Sequence, residues 1–233
     1  MKALELHFLG TGGAFYPVEG SNGAFFRRGD DLYLLDCGES CFATLKRLGL
    51  LEVRGGRLII LLTHLHADHC GSLGTTRLYA ASRFSRVTVV HPHPQADTLL
   101  SLMGIRDGVV DRVERWEDGG LRVRPVPVRH LHLPSFGYLL DDGEETLYYS
   151  GDATDIPADI LAGFEAGEIA RMYQDCLYDG TSRTEHPAHM PFALLCERIR
   201  PALRDRVTVM HFNRDFRQQA QDAGFRCAYA QRA

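Results

Sequence analysis

The segment HLHADH (64–69) constrains this chain more than any other part of its sequence. It directly follows RLIILLT (57–63), an apolar run that is typical of a buried β-strand. Ionisable side chains at the end of a core strand are costly to desolvate unless a partner compensates them. Histidine and carboxylate groups are ligands that zinc, manganese and iron(II) accept. The segment therefore predicts a metal site at the edge of a sheet.

The same arrangement recurs along the chain, because further candidate ligands also follow strand-like runs. Strand ends from one sheet meet at one edge, so residues far apart in sequence can share a site. These candidates are His130 or His132 after LRVRPVPV, Asp152 after TLYYSG, Asp175 after ARMY, and His211 after RVTVM.

The spacing of the first segment predicts two metal ions. In an extended segment, residues i and i+2 point the same way, so His64 and His66 can bind one ion. Asp68 and His69 lie past the strand end and can face a second ion. Two neighbouring cations require a bridging carboxylate, and Asp152 in SGDAT is a candidate.

The remaining patterns predict one mixed α/β domain over residues 1–233. Short β-rich runs alternate with helical stretches. Each half of the chain passes from several strands into a strand that is followed by a helix. FGYLLDDGEETLYYSGD (136–152) predicts a hairpin with Asp141, Asp142 and Gly143 at its turn. PFALLCERIRPALRD (191–205) predicts one helix.

Composition excludes several classes of protein. Of 233 residues, 45% are hydrophobic and 24% charged, as in ordinary globular domains. A signal peptide and an apolar run of about 20 residues are both missing, so we expect a cytoplasmic protein without membrane contact. The net charge of −4 gives no basic field for nucleic acids. The six cysteines lack CxxC pairs and are expected to be free thiols.

THLHADH resembles the HxHxDH signature of the metallo-β-lactamase superfamily. Other landmarks follow in that superfamily's order, and the set is most similar to the ribonuclease Z and small phosphodiesterase branch. The resemblance implies a four-layer αβ/βα sandwich that holds two metal ions. These landmarks are GTGGAF, LLDCGES, a histidine before PSFGY, SGD and MHFN.

The resemblance also implies two bound divalent metal ions and the residues that ligate them. Zinc is the expected metal, with manganese or iron as alternatives. The third histidine of the first metal is open between His130 and His132, and His130 is favoured because it directly ends its strand. The implied ligands are His64, His66 and His130 for the first metal, Asp68, His69 and His211 for the second, and Asp152 as the bridge.

A proton-transfer pair is implied as well. Asp175 and His189 occupy places similar to an acidic residue and a late histidine of the ribonuclease Z branch, with Asp where Glu is more usual. His186 is the neighbouring alternative to His189. Asp68, Asp175 and His189 are thus the candidate catalytic residues.

These features predict a hydrolase that uses a metal-bridging hydroxide, most simply on a small or nucleotide-type phosphodiester. The alternative is a lactone, ester or thioester hydrolase, since hydroxide also attacks carbonyl carbon. An acidic hairpin (137–152) stands where ribonuclease Z is expected to carry a basic arm, which argues against a large RNA substrate. A homodimer is consistent with the resemblance alone.

Overall fold

The apolar runs of the sequence become the central strands of two sheets. The computed structural model describes residues 4–52, 55–105, 111–178 and 188–232. They form two compact units, which we call the N-terminal unit (Glu5–Trp116 with the chain from Tyr229) and the C-terminal unit (Glu117–Ala228 with Leu4). The mixed α/β class predicted from the sequence is confirmed, whereas the single domain over 1–233 stays a prediction.

The N-terminal unit contains a six-stranded sheet in the order β1-β2-β3-β4-β5-β6. β1 to β3 pair in antiparallel fashion and β3 to β6 in parallel fashion. The strands are β1 (His7–Gly10), β2 (Gly23–Arg28), β3 (Asp31–Leu35), β4 (Arg57–Leu61), β5 (Arg86–Val90) and β6 (Asp111–Val113).

β4 is the central strand that leads to the HLHADH segment. Its residues from Leu58 to Leu61 are fully buried, as expected for a parallel strand covered on both faces. Leu61 pairs with Leu35 of β3 and with Val90 of β5. The carboxyl ends of these three strands therefore lie level, and polar residues that follow them meet at one edge.

Four helices accompany this sheet in the described residues of the unit. The first of them buries Cys41, Thr44 and Leu45 at helical spacing and is followed by Gly49, whose φ of 67° suits a helix end. The helices are α1 (Cys41–Arg47), α2 (Ala67–Cys70), α3 (Leu73–Ala80) and α4 (Gln95–Leu102).

The C-terminal unit contains a seven-stranded sheet in the order β13-β12-β11-β10-β9-β8-β7. β10 to β13 pair in parallel fashion, and register places Tyr149 beside Tyr173 and Asp175 beside Met210. The ends of β10, β11 and β12 thus converge. The strands are β7 (Trp116–Asp118), β8 (Leu121–Val128), β9 (Ser135–Asp141), β10 (Thr146–Tyr149), β11 (Arg171–Asp175), β12 (Val207–Met210) and β13 (Arg226–Cys227).

The predicted hairpin is confirmed. β9 and β10 are antiparallel, and the amide of Asp142 donates to the carbonyl of Glu145 at 3.2 Å across the turn. Gly143 has a φ of 89°, which favours glycine at this position.

The predicted helix over 191–205 is shorter in the structure. It ends at Arg198, because Arg200 precedes Pro201 and adopts an extended ψ of 140°. A 3₁₀ helix (Pro201–Arg206) follows it. The helices of this unit are α5 (Ala158–Ala166), α6 (Phe192–Arg198) and α7 (Arg217–Asp222). Among the helices of the described ranges, none combines the length and the apolar character needed to cross a bilayer.

Candidate active site

The HLHADH segment leaves β4 and passes into the short helix α2. His66 stays extended at φ −70° and ψ 151°, and its carbonyl accepts hydrogen bonds from the amides of His69 and Cys70. Asp68 and His69 therefore lie in a first helical turn directly past the strand, as the sequence predicts.

Within the N-terminal unit, these four side chains form two pairs of potential ligands. Nε2 of His64 lies 3.0 Å from Nδ1 of His66. Nε2 of His69 lies 3.3 Å from a carboxylate oxygen of Asp68. His66 is half-buried and the other three are buried. A metal ion with bonds of about 2.0–2.2 Å can bridge two ligand atoms at either separation.

The LLDCGES landmark contains Asp36, but the sequence assigns no role to this residue, which is fully buried just after β3. Its Oδ2 lies 2.8 Å from Nδ1 of His69, and the amide and hydroxyl of Thr63 donate to its Oδ1 at 2.8 and 3.0 Å. Burial raises the pKa of Asp36, although His69 and Thr63 act in the opposite direction. Asp36 could have been identified by the criterion that identified Asp152 and Asp175, because it too is a carboxylate at the end of an apolar strand.

In the C-terminal unit, four ionisable side chains converge on one cluster. Asp152, Asp175, His189 and His211 each present a ligand atom, and these atoms lie within 4.8 Å of one another. The side chain of His189 is 18% exposed, and the other three are at most 2% exposed. Burial of this many charged or titratable groups is costly, so the donor set fits a bound cation.

Asp152 lies between three histidines. Its Oδ1 is 3.4 Å from Nε2 of His211, and its Oδ2 is 3.7 Å from both Nε2 of His130 and Nδ1 of His189. A carboxylate that faces different histidines with its two oxygens has the arrangement expected of a bridging ligand.

The two candidates for the third histidine have different environments. His130 is buried, and its Nδ1 donates to the carbonyl of Ala188 at 2.6 Å, whereas His132 is exposed. Burial lowers the pKa of His130, against the opposing charge of Asp152. The geometry thus brings His130, rather than His132, to the cluster.

Asp175 and His189 form a close pair. Nδ1 of His189 lies 2.8 Å from Oδ2 of Asp175, which also accepts a hydrogen bond from the amide of Ala153 at 3.1 Å. Burial lowers the pKa of His189, but the carboxylates of Asp175 and Asp152 outweigh it and raise that pKa on balance. The alternative, His186, lies outside the described residues.

The ring nitrogens of the candidate ligands follow one pattern. In each of four histidines, Nδ1 faces a supporting group and Nε2 faces another candidate ligand. A metal-binding histidine characteristically has its second nitrogen held in this way, which fixes the ring and its tautomer. The supporting groups are Thr63 for His64, Asp36 for His69, Ala188 for His130 and Asp175 for His211.

Left-handed backbone angles coincide with the candidate site. Among the described residues other than glycine, positive φ occurs at Asp36 (65°), Leu131 (44°) and His211 (61°). Such angles cost about 1–3 kcal/mol each and persist where surrounding structure enforces them. Each of the three residues is a candidate site residue or the neighbour of one.

Burial disfavours the thiolate form of the two cysteines beside the candidate residues. Burial raises the pKa of Cys70 to about 12 and the pKa of Cys176 well above its ordinary value. A thiol, unlike a thiolate, is a poor nucleophile and a poor metal ligand. The sequence neighbours Cys70 and Cys176 are therefore packing groups in this structure.

Comparison with known proteins identifies the class to which this fold and site belong. The family model described as "Beta-lactamase superfamily domain" matches residues 32–212. The chain therefore belongs to the β-lactamase superfamily. The metallo-β-lactamase fold protein YhfI from Bacillus subtilis aligns with a TM-score of 0.74 over 98% of this chain and 96% of that one, at 16% identity. The predicted fold of the metallo-β-lactamase type is thus confirmed.

Two curated proteins are similar to this chain in sequence. The anti-Pycsar protein Apyc1 from Paenibacillus harenae is 25% identical over 196 residues, which cover 74% of this chain and 77% of that protein. Ribonuclease Z from Metallosphaera sedula is 31% identical over 149 residues, which cover 60% of this chain and 49% of the relative. The chain is a hydrolase of the metallo-β-lactamase superfamily with clusters of His and Asp suited to metal ions.

Proposed function

We propose that this hydrolase is a binuclear metal-dependent phosphodiesterase that acts on a small or nucleotide-type phosphodiester. The observation that carries the proposal is the buried cluster of the C-terminal unit, in which a carboxylate among three histidines adjoins a hydrogen-bonded Asp175–His189 pair. The first feature suits metal binding, and the second suits proton transfer to a leaving group.

The proposed ligands are the seven residues that the family resemblance implies. His64, His66 and His130 would hold one divalent ion, Asp68, His69 and His211 a second, and Asp152 would bridge them. Zinc is the expected metal, because nitrogen and carboxylate donors of this kind suit it, with manganese or iron as alternatives. The supported Nδ1 atoms of His64, His69 and His130 orient their rings for this role.

Divalent ions bound there would supply an activated water and stabilise the charge that develops on the bond under attack. The chain's own residues would manage the leaving group. Because Nδ1 of His189 faces Asp175, its Nε2 is the atom that would protonate the leaving oxygen. Asp175 would orient the ring and favour its protonated form.

Two observations support a phosphodiester over other bonds and a small substrate over a large one. Ribonuclease Z, a relative by sequence, acts on RNA according to its name. The hairpin β9–β10 turns within four residues, from Asp142 to Glu145, and so offers no long arm for a folded RNA. We further propose that the protein forms a homodimer and is located in the cytoplasm.

The test is hydrolysis of bis(p-nitrophenyl) phosphate by protein loaded with zinc or manganese, with bound metal measured in the same samples. We expect turnover that a chelator abolishes and added metal restores. Metal-loaded protein that cleaves p-nitrophenyl acetate or a lactone but no phosphodiester would reject the phosphodiesterase assignment in favour of an ester or lactone hydrolase.

A further inference from the structure

A small cavity lies beside Asp68 within the N-terminal unit. Its volume is about 120 Å³, and part of its wall comes from the loop between β1 and β2. An apolar cavity of roughly 150 Å³ can hold one benzene molecule, so this cavity has room for one small ring. The residues that line it include Ala14, Pro17 and Ser21 of the loop, and Glu39, Ser40 and Asp68 from elsewhere in the unit.

Close backbone contacts hold Glu39 next to Asp68. A β-carbon added at Gly38 would overlap the carbonyl oxygen of Asp68, so these two backbones are in direct contact. The hydroxyl of Ser72 donates to the carbonyl of Gly38 at 2.6 Å. A β-carbon at Gly71 would lie 2.7 Å from Cγ of Glu39, so a larger residue there would displace this side chain. The fold therefore fixes the backbone of Glu39 relative to Asp68.

Two serine hydroxyls are fixed in the wall of the cavity. The amide of Ser21 donates to Oγ of Ser40 at 2.7 Å, and the amide of Ser40 donates to Oγ of Ser21 at 3.2 Å. Each oxygen is thus an acceptor, and among the described residues neither hydroxyl donates a hydrogen bond. Ser21 is only 9% exposed, so its O–H group is a nearly buried donor that a ligand oxygen in the cavity would satisfy.

Glu39 supplies the complementary acceptor. Its side chain is exposed, and within the described ranges of the chain it has no hydrogen bond or ion pair. Its negative charge repels a phosphate group, and the serine O–H groups are donors that an ammonium group cannot use. A sugar hydroxyl both donates and accepts a hydrogen bond, so it matches a wall that holds a carboxylate and two hydroxyls.

We propose that this cavity binds the ribose of a nucleotide-type phosphodiester, whose hydroxyls donate to Glu39 and accept from Ser21 and Ser40. This inference rests on the proposed phosphodiesterase function and deepens it, because it assigns a site to a part of the substrate that does not react. A carboxylate that accepts a hydrogen bond from a ribose hydroxyl is a recurrent arrangement in nucleotide-binding folds. Because Asp68 lines the same cavity, a sugar bound there lies beside a proposed metal ligand.

The kinetic test compares two esters that differ only in the sugar, adenosine 5′-(p-nitrophenyl phosphate) and its 2′,3′-dideoxy analogue. For the metal-loaded wild type we expect kcat/KM to be about 10-fold higher for the ribose ester, because the analogue leaves Glu39 and the serines without hydrogen bonds. Glu39→Ala should reduce this ratio to about 1, and Glu39→Gln, which loses the charge but keeps an acceptor, to roughly 3. A general structural defect would lower both values equally and leave the ratio unchanged.

Two further variants test position and partner. Asp30 is an exposed acid in the turn before β3, and that strand separates it from Glu39, which follows the other end. Asp30→Ala removes a similar charge away from the cavity, so its ratio should equal that of the wild type. Ser40→Ala removes one donor and should reduce the ratio to roughly 3. Equal ratios in Glu39→Ala and Asp30→Ala would overturn the assignment.

Binding of adenosine and 2′,3′-dideoxyadenosine, measured by NMR titration, separates this inference from the proposed function, because neither nucleoside contains a phosphate. Adenosine that binds about 10-fold tighter than the dideoxynucleoside to the wild type, but not to Glu39→Ala, sustains the ribose site even if no phosphodiester is cleaved. Equal dissociation constants in the wild type, no binding of adenosine, or a preference retained in Glu39→Ala overturns it even if bis(p-nitrophenyl) phosphate is cleaved. Because Glu39 is exposed, its removal should leave the melting temperature unchanged.

Discussion

The N-terminal and C-terminal halves of the proposed ligand set are built in different ways. In the N-terminal unit, four candidate ligands lie within six residues on one segment between β4 and α2. In the C-terminal unit, Asp152, Asp175 and His211 come from three neighbouring strand ends, and His130 and His189 come from further loops. The first half depends on local spacing, whereas the second depends on the register of parallel strands.

A carboxylate supports a histidine in each half, yet the two histidines have different proposed roles. Asp36 faces Nδ1 of His69, a proposed metal ligand, and Asp175 faces Nδ1 of His189, the proposed proton donor. Both carboxylates are fully buried. Asp175 also faces Nδ1 of His211 at 3.4 Å, so its carboxylate would serve metal affinity and chemistry together, whereas that of Asp36 would serve metal affinity alone.

The largest effect is expected where one ligand is removed from either half. His66→Ala and His211→Ala should each lower turnover by about 10³-fold or more, because developing charge loses its stabilisation. Bound metal, measured by mass spectrometry, should fall from two ions toward one. If His211→Ala retains both ions, the second half does not bind metal and the comparison fails.

His132 provides a control for the same experiment. His130→Ala should behave like the ligand variants, whereas His132→Ala should retain metal and activity, because His130 is buried beside Asp152 and His132 is exposed. The opposite result would assign the third histidine to His132.

A smaller loss of turnover is expected for Asp175→Asn. Loss of the carboxylate leaves His189 without the group that orients it and raises its pKa, so kcat should fall on the order of 10²-fold. Because Asp175 also faces Nδ1 of His211 at 3.4 Å, metal affinity should weaken as well, so kcat is compared at saturating metal. A kcat that recovers fully at saturating metal would show that Asp175 supports the ligands rather than the proton donor.

Asp36→Asn is the counterpart in the N-terminal unit. The amide keeps the shape of Asp36 but removes the negative charge that faces His69. Metal affinity should weaken by roughly 10–100-fold, as is typical when a group behind a ligand is changed. Activity at saturating metal should largely recover, which distinguishes this variant from Asp175→Asn. Titration with a chelator of known affinity measures the change.

The difference between local spacing and strand register also determines how much of each half can be predicted from the sequence. The HLHADH segment reveals its ligands because an apolar strand and short spacings fix the geometry locally. The role of Asp36 was not predicted, because it depends on a left-handed backbone turn and on a contact with His69, 33 residues later. The sequence favours His130 over His132 but leaves the choice open, because β8 ends at Val128 and Leu131, with a φ of 44°, lies in the loop that follows.

The sheets show the same limit. Long apolar strands and the Asp-Asp-Gly hairpin follow from residue patterns, and so does the alignment of strand ends that gathers Asp152, Asp175 and His211. The two-residue strand β13, the three-residue strand β6 and the early end of α6 before Pro201 depend on tertiary pairing or on one residue, and periodicity does not reveal them.

The smallest effect concerns ion pairs at the strand starts, far from the site in each unit. Asp31 of β3 accepts hydrogen bonds from the amide and Nε of Arg57 in β4, at 2.7 and 3.1 Å, and Glu145 accepts one from Arg171 of β11 at 2.5 Å. These pairs fasten the strands that lead to the two halves. Each is partly exposed, so Asp31→Asn and Glu145→Gln should each lower the free energy of unfolding by about 0.5–1 kcal/mol without changing metal content.

The loss at Asp31 should depend on pH in a definite direction. Partial burial raises the pKa of Asp31, but the hydrogen bonds and charge of Arg57 outweigh it and lower that pKa on balance. A group with a lowered folded-state pKa contributes stability above its unfolded pKa of about 3.9, and the contribution disappears as pH falls through the folded value. Urea unfolding of wild type and Asp31→Asn should therefore differ at pH 7, and the difference should shrink progressively as the pH falls below about 4. A difference that persists at low pH would mean that the neutral hydrogen bonds to Arg57, not the charge, fasten β3 to β4.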